Sequence, residues 1–204
     1  MWDSYGNWDD IANTPSIDDV KAKITGNKLA WRPNYCPPAL SYCFDYASLE
    51  YRNTFAGQSS VLDFGCGLGR NAPMLRSFFD KVIGFDRPDM VARIRIAYPE
   101  LTKNYYDSLY DSIEELATVE ECCVLYDSVV FQHLVDEDYT IDLLTLLSKI
   151  SSLRTFVSIH NFREHRRPPH IHQLKQLGWS IWHTETESLS FEGALHSLVI
   201  LRQW

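Results

Sequence analysis

Basic charge is scarce in this chain. Its 204 residues hold 19 Lys and Arg against 27 Asp and Glu, a formal net charge of -8. A surface this poor in cations cannot displace counterions along a polynucleotide, so nucleic acid is not the expected partner. Arg154, Arg163, Arg166 and Arg167 make a local basic run that reads first as a solvated loop. Long apolar runs are missing too: none approaches the ~20 residues of a membrane span, so no membrane partner is expected. The N-terminus is acidic and aromatic, unlike a signal peptide. Cysteine is sparse and oddly numbered. Cys36, Cys43, Cys66, Cys122 and Cys123 show no metal-ligand spacing and read as small core residues in a reducing compartment, not as a disulfide frame. These exclusions leave a soluble cytoplasmic protein as the expectation.

The composition, 45% apolar and 23% charged, suits one globular unit with a full core. Residues 1–57 stand apart, rich in Trp, Tyr, Asn, Asp and Pro. Ser16 is a helix-capping residue ahead of Asp18 and Asp19, and Pro33 and Pro37-Pro38 limit any longer helix before a second candidate from Ala39 to Tyr51. This segment reads as a helical cap over the rest. Its aromatics either line a pocket or join the cap to the core. From residue 58 to 204 strands and helices alternate, the mark of a parallel sheet with crossovers. Strands are expected at 60–64, 81–86, 103–107, 122–127 and 154–160. Helices are expected at 69–79, 88–97 (ended by Pro99), 111–117, 138–151 and 168–177 (closed by Gly178). Segments 179–185 and 195–203 read as a final antiparallel pair.

The most informative stretch is Val61-Leu62-Asp63-Phe64-Gly65-Cys66-Gly67-Leu68-Gly69-Arg70. It reads as a buried strand entering a tight glycine turn and then a helix. Glycine lets backbone turn sharply and approach a ligand without a Cβ in the way. A second strand, Lys81-Val82-Ile83-Gly84-Phe85, ends in Asp86, where a nucleotide-binding α/β unit places an acid for ribose hydroxyls. A dinucleotide fingerprint would need G-x-G-x-x-G, but Arg70 stands where its last glycine belongs and the third glycine comes one place early. Asp63, two residues before the first glycine, puts negative charge beside the turn. That disfavours a phosphate and suits a cation such as an ammonium or a sulfonium.

With D-x-G-x-G-x-G followed by a strand ending in an acid, the chain resembles the class I S-adenosylmethionine-dependent methyltransferases. The resemblance implies a Rossmann-like α/β fold: a seven-stranded, mostly parallel sheet with an antiparallel C-terminal hairpin and helices on both faces. It implies S-adenosylmethionine as cofactor and S-adenosylhomocysteine as product. Asp63, Gly65, Cys66, Gly67 and Gly69 would hold the methionine part. Asp86 would take the ribose hydroxyls, or cap the helix at Pro88, and Arg87 would flank the adenine. Asp107, or later Asp111, would meet the adenine amino group, since the repeated Tyr-Asp-Ser leaves the register open.

The segment Cys123-Val124-Leu125-Tyr126-Asp127-Ser128-Val129-Val130-Phe131-Gln132-His133-Leu134 is similar to the family's stretch after its fourth strand, with Cys123 where an Asp is common. Asp127 would lie beside the transferred methyl, as a cofactor contact and the favoured general base. His133 is a second candidate, or a structural histidine. At the fifth strand His160 or Asn161 would reach the acceptor, and a histidine titrating near neutrality is a natural base. His165, His170 and His172 are split by Pro168-Pro169 and lack an acidic or cysteine partner at ligand spacing, so no metal is expected.

The implied reaction is in-line attack of a small-molecule or protein nucleophile on the sulfonium methyl. A nucleic-acid methyltransferase is a second reading. Neither the N/D-P-P-Y/F tetrapeptide nor a Pro-Cys pair is present to support it. A cofactor sensor without turnover is a third.

Overall fold

The computed structural model describes residues 59–203 apart from 70, 77, 98, 129, 132–133, 135, 162–168 and 192–193. The expected cap over 1–57, His133 and the Arg163–Arg167 run lie outside the described residues. Seven strands form one sheet: β1 (Ser60–Phe64), β2 (Lys81–Phe85), β3 (Ser108–Tyr110), β4 (Val124–Ser128), β5 (Thr155–Asn161), β6 (Ser180–Phe191) and β7 (Ala194–Arg202). Between them run α1 (Ala72–Arg76), α2 (Pro88–Ala97), α3 (Pro99–Tyr105), α4 (Ile113–Leu116), α5 (Glu137–Leu147) and α6 (Pro169–Gln176).

The strand order is β3-β2-β1-β4-β5-β7-β6. β1 to β5 are parallel, β7 runs antiparallel to β5, and β6 antiparallel to β7. The chain therefore winds outward from β1 through β2 to β3, then returns to begin again at β4. The switch point lies between β1 and β4, where an open parallel sheet leaves a crevice at the carboxyl ends of its strands. Right-handed crossovers in the two directions put the helices on opposite faces. The contacts agree: α1 and α2 both meet α3, and α5 meets α6.

Every residue of β1 is buried, as expected of a strand covered on both sides. One face holds an aliphatic and aromatic core in which Leu62, Phe64, Ile83, Phe85 and Leu125 pack with Leu143, Leu144, Leu147 and Leu174 of α5 and α6. Fully burying each of these side chains contributes about 1.5–3 kcal/mol. The opposite face, set by the alternation of side chains along a strand, carries Val61, Asp63, Val82, Gly84 and Tyr126. Cys66 and Cys122 are buried free thiols, and burial pushes Cys122 up to about 12. That is chemistry of core packing and not of reactivity. Among the described residues no helix is long and apolar enough to cross a membrane.

The third strand departs from its expected place. A strand is expected over 103–107; instead Pro99 opens α3, which continues to Tyr105. Proline lacks an N–H but pre-sets φ, so it ends one helix and suits the first turn of the next. The strand itself is the next triplet, Ser108–Tyr110.

Candidate functional site

The glycine turn leaves β1 with alternate residues in the left-handed region: Gly65 at φ 70°, Gly67 at 56° and Gly69 at 79°. A side chain at any of them would be strained. At Gly65 there is also no room, because an added Cβ would collide with the Val130 side chain. The turn is laced to the end of β2. The Gly65 and Cys66 amides both donate to the Phe85 carbonyl, at 2.8 and 3.0 Å. The Gly67 amide donates to Asp86 Oδ2 at 2.6 Å, and the Arg87 amide to Asp86 Oδ1 at 2.7 Å. Asp86 thus fixes the turn and the start of α2 together. Burial pushes its carboxyl up to about 6, against the two amides and the Arg87 charge, which pull it down. A carboxylate has about four acceptor positions; the described backbone uses two, leaving capacity for a diol.

Beneath the turn Asp63 is buried, and Tyr106 donates its hydroxyl to Asp63 Oδ2 at 2.7 Å. Tyr106 was not legible as a site residue. The available signal was Gly84, since a glycine inside a strand marks a close approach. Cys66 is buried in the turn, and its thiol is driven well upward by burial and then by the charges of Asp86 and Asp63. It stays protonated.

Arg87 pairs with Asp89 through Nη2 at 2.7 Å and Nε at 3.1 Å, on the first turn of α2.

Asp107 is a correction. It precedes β3, at the amino end of the sheet, and its Oδ2 accepts from the Val82 amide at 2.7 Å and from Arg76 at 2.9 Å. Against the upward push of burial, Arg76 and the Val82 amide hold its carboxyl below the usual range. It braces β2 and α1 on the edge opposite the glycine turn. Asp111, the alternative, follows Tyr110, which is in register with Phe85, so it lies at the carboxyl edge beside Asp86.

Asp127 is at the carboxyl end of β4, in register with Phe64 and Ser158, but it is sealed at 0% exposure. Its Oδ1 accepts from the Val130 amide at 2.8 Å and the Phe131 amide at 3.2 Å. Its Oδ2 accepts from Ser158 Oγ at 2.8 Å. Ser158 has one proton to give and gives it to Asp127, so it accepts from His170 Nε2 at 3.0 Å. Burial pushes Asp127 up to about 7, against these donors. The geometry makes Asp127 a cap of the turn after β4, buried and engaged by three donors, whereas a general base was expected there. This turn delivers Val130 to Gly65 and Phe131 onto Phe64, with ring centroids 4.5 Å apart.

His160 lies near the carboxyl end of β5, in register with Ser197. His170 is buried against Phe131, with ring centroids 5.0 Å apart, whereas His172 is exposed and meets Gln176. The two histidines therefore do not converge.

No family model matches the chain, and no curated protein matches it. Solved structures do match. The magnesium protoporphyrin IX methyltransferase of Synechocystis PCC 6803, with SAH bound, superposes at TM-score 0.55 with 16% identity, over 97% of this chain and 93% of that one. An S-adenosylmethionine-dependent methyltransferase of Mesorhizobium loti gives 0.51 at 15% identity, over 78% and 99%. The N-methyltransferase NodS of Bradyrhizobium japonicum gives 0.51 at 13%, over 76% and 95%. With its switch point, its glycine turn and its closing antiparallel pair, the chain has the fold of the class I S-adenosylmethionine-dependent methyltransferases.

Proposed function

We propose that the protein is an S-adenosylmethionine-dependent methyltransferase acting on a small molecule or a protein side chain. The observation that carries this reading is the coupling of the glycine turn to Asp86 through the Gly67 amide. One carboxylate shapes the turn that would receive the methionine part and stands ready for the ribose diol. One of the fold neighbours, the Synechocystis methyltransferase, holds SAM in one crystal and SAH in another, which supports the choice of ligand class. The net charge of -8 favours an acceptor that is not a polynucleotide.

The cofactor, when bound, would supply an activated methyl on a sulfonium. The work left to the chain is binding and alignment. Gly65, Gly67 and Gly69 would admit the ligand close to the backbone, Asp63 would face its cationic end, and Asp86 would accept from its ribose. Asp111 is better situated than Asp107 to meet the base. Proximity and orientation alone supply a large part of the barrier reduction in such transfers, so no strong base is required. His160 remains the candidate for deprotonating an acceptor, from its place at the carboxyl end of β5.

Calorimetric titration with S-adenosylmethionine and S-adenosylhomocysteine, with NAD and ATP as controls, tests the ligand. Micromolar binding of the first two alone is expected. Binding of NAD or ATP in their place would overturn the reading. Homocysteine release in the presence of candidate acceptors then separates an enzyme from a sensor.

A further inference from the structure

Gly84 has no backbone reason to be glycine, for its φ lies outside the left-handed region. It has a spatial one. A Cβ there would stand 2.9 Å from Tyr106 Cε1 and 2.5 Å from Leu109 Cδ2. Gly84 is in register with Asp63 on the neighbouring strand, so both belong to the same face of the sheet. Tyr106, in the link between α3 and β3, lays its ring over the notch left by Gly84 and extends its hydroxyl to Asp63. Two features distant in sequence thus meet at the acid of the glycine turn.

We infer that Tyr106 is a positioning residue of the ligand site, seated by Gly84, that holds Asp63 as an oriented anion for the ammonium group of the ligand's amino-acid end. This rests on the S-adenosylmethionine reading above. Burying a carboxylate is costly unless donors compensate it, and a donated hydrogen bond favours the charged form. The phenol is suited to that task because it does not ionise: burial and then the Asp63 charge drive its own titration well upward. At neutral pH it is a donor to Asp63. Phenylalanine would fill the notch equally well but leave Asp63 without this donor.

The test compares two ligands on two proteins. S-adenosylhomocysteine carries the ammonium; methylthioadenosine has the nucleoside and the sulfur but no amino-acid group. In Tyr106→Phe, binding of S-adenosylhomocysteine is expected to weaken roughly tenfold, the scale of a lost hydrogen bond to a charged group, while methylthioadenosine stays within about twofold. Equal weakening of both would mean that Tyr106 only supports the fold, and would overturn the inference; so would no change in either. Failure of the wild type to bind either ligand would instead defeat the S-adenosylmethionine reading, and the inference with it. Should Tyr106→Phe not fold, Gly84→Ala is the second variant, with the hydroxyl kept: its Cβ crowds Leu109 and the Tyr106 ring together, and a shifted ring loosens its hydroxyl from Asp63. It too should weaken S-adenosylhomocysteine selectively, and an unselective loss would count against the notch.

Discussion

Asp86 and Asp127 end parallel strands on the two sides of β1, and burial raises both carboxyls, to about 6 and about 7. Their surroundings differ. Asp86 takes two backbone amides, one from the glycine turn and one from its own successor, and keeps a small opening at the sheet edge. Asp127 takes two amides and a hydroxyl, the hydroxyl is backed by His170, and nothing of it reaches solvent. A raised carboxyl at a strand end is thus no mark of catalysis by itself. What separates a ligand-facing acid from a structural one is the acceptor capacity left over and the direction in which it opens. On that measure Asp86 is the better placed of the two to meet a ligand, and Asp127 braces the turn that carries Val130 and Phe131.

Crowding Gly65 against Val130 should have the largest effect. Gly65→Val forces a branched residue into φ 70° and against Val130. A loss of about 2–4 kcal/mol is expected, from left-handed strain and overpacking together. Urea unfolding would measure it, and a loss below about 1 kcal/mol would mean the turn moves freely away from Val130.

Next comes Asp86 itself. Asp86→Ala removes the acceptor of the Gly67 and Arg87 amides and the partner of the ribose. S-adenosylhomocysteine affinity should fall about 100-fold or more, two hydrogen bonds to a charged group being involved. The wild-type affinity should also weaken on acidification through about pH 6, because a diol donates best to the ionised carboxylate. Affinity that rose on acidification would contradict the assignment.

Asp127 sharpens the contrast through stability. Its native carboxyl is raised above the unfolded value, so protonation favours the folded state. Its stability contribution is complete below about pH 4 and is lost as pH rises to about 7. From about pH 5 to about pH 8 the wild type should lose about 3 kcal/mol through this group. Asp127→Asn, which can still accept from the Val130 and Phe131 amides, should flatten that slope. Denaturation at several pH values decides it, and an unchanged slope would place the titration elsewhere. The smallest effect is expected from Ser158→Ala, which deprives Asp127 of its hydroxyl donor at a cost of about 1–3 kcal/mol. Ligand affinity should move little.

The glycine turn, the strand ending in Asp86 and the final antiparallel pair were legible because each has a local signature: alternating glycines, a buried apolar run, a late pair of apolar segments. The third strand was not. Tyr105-Tyr106-Asp107-Ser108 and Tyr110-Asp111-Ser112 look alike as short motifs, and only pairing with β2 chooses between them. That choice moved Asp107 to the wrong edge of the sheet for a ligand. The apolar run before Asp127 marks a strand end there, as in the fold, but sequence cannot tell whether such an acid opens outward or folds back onto its own turn. Ser158 and His170 carried no shared signal, since their meeting depends on how α6 lies against β5. Tyr106 was hidden for the same reason, although Gly84, small with no turn to explain it, was the trace it left.

The most direct measurement is titration of S-adenosylhomocysteine into the wild type, Asp86→Ala and Asp127→Asn at one pH near 8. Micromolar binding to the wild type, kept in Asp127→Asn and lost in Asp86→Ala, is the expected result. Binding that survives in Asp86→Ala but disappears in Asp127→Asn would move the ligand to the β4–β5 edge and contradict the site described above.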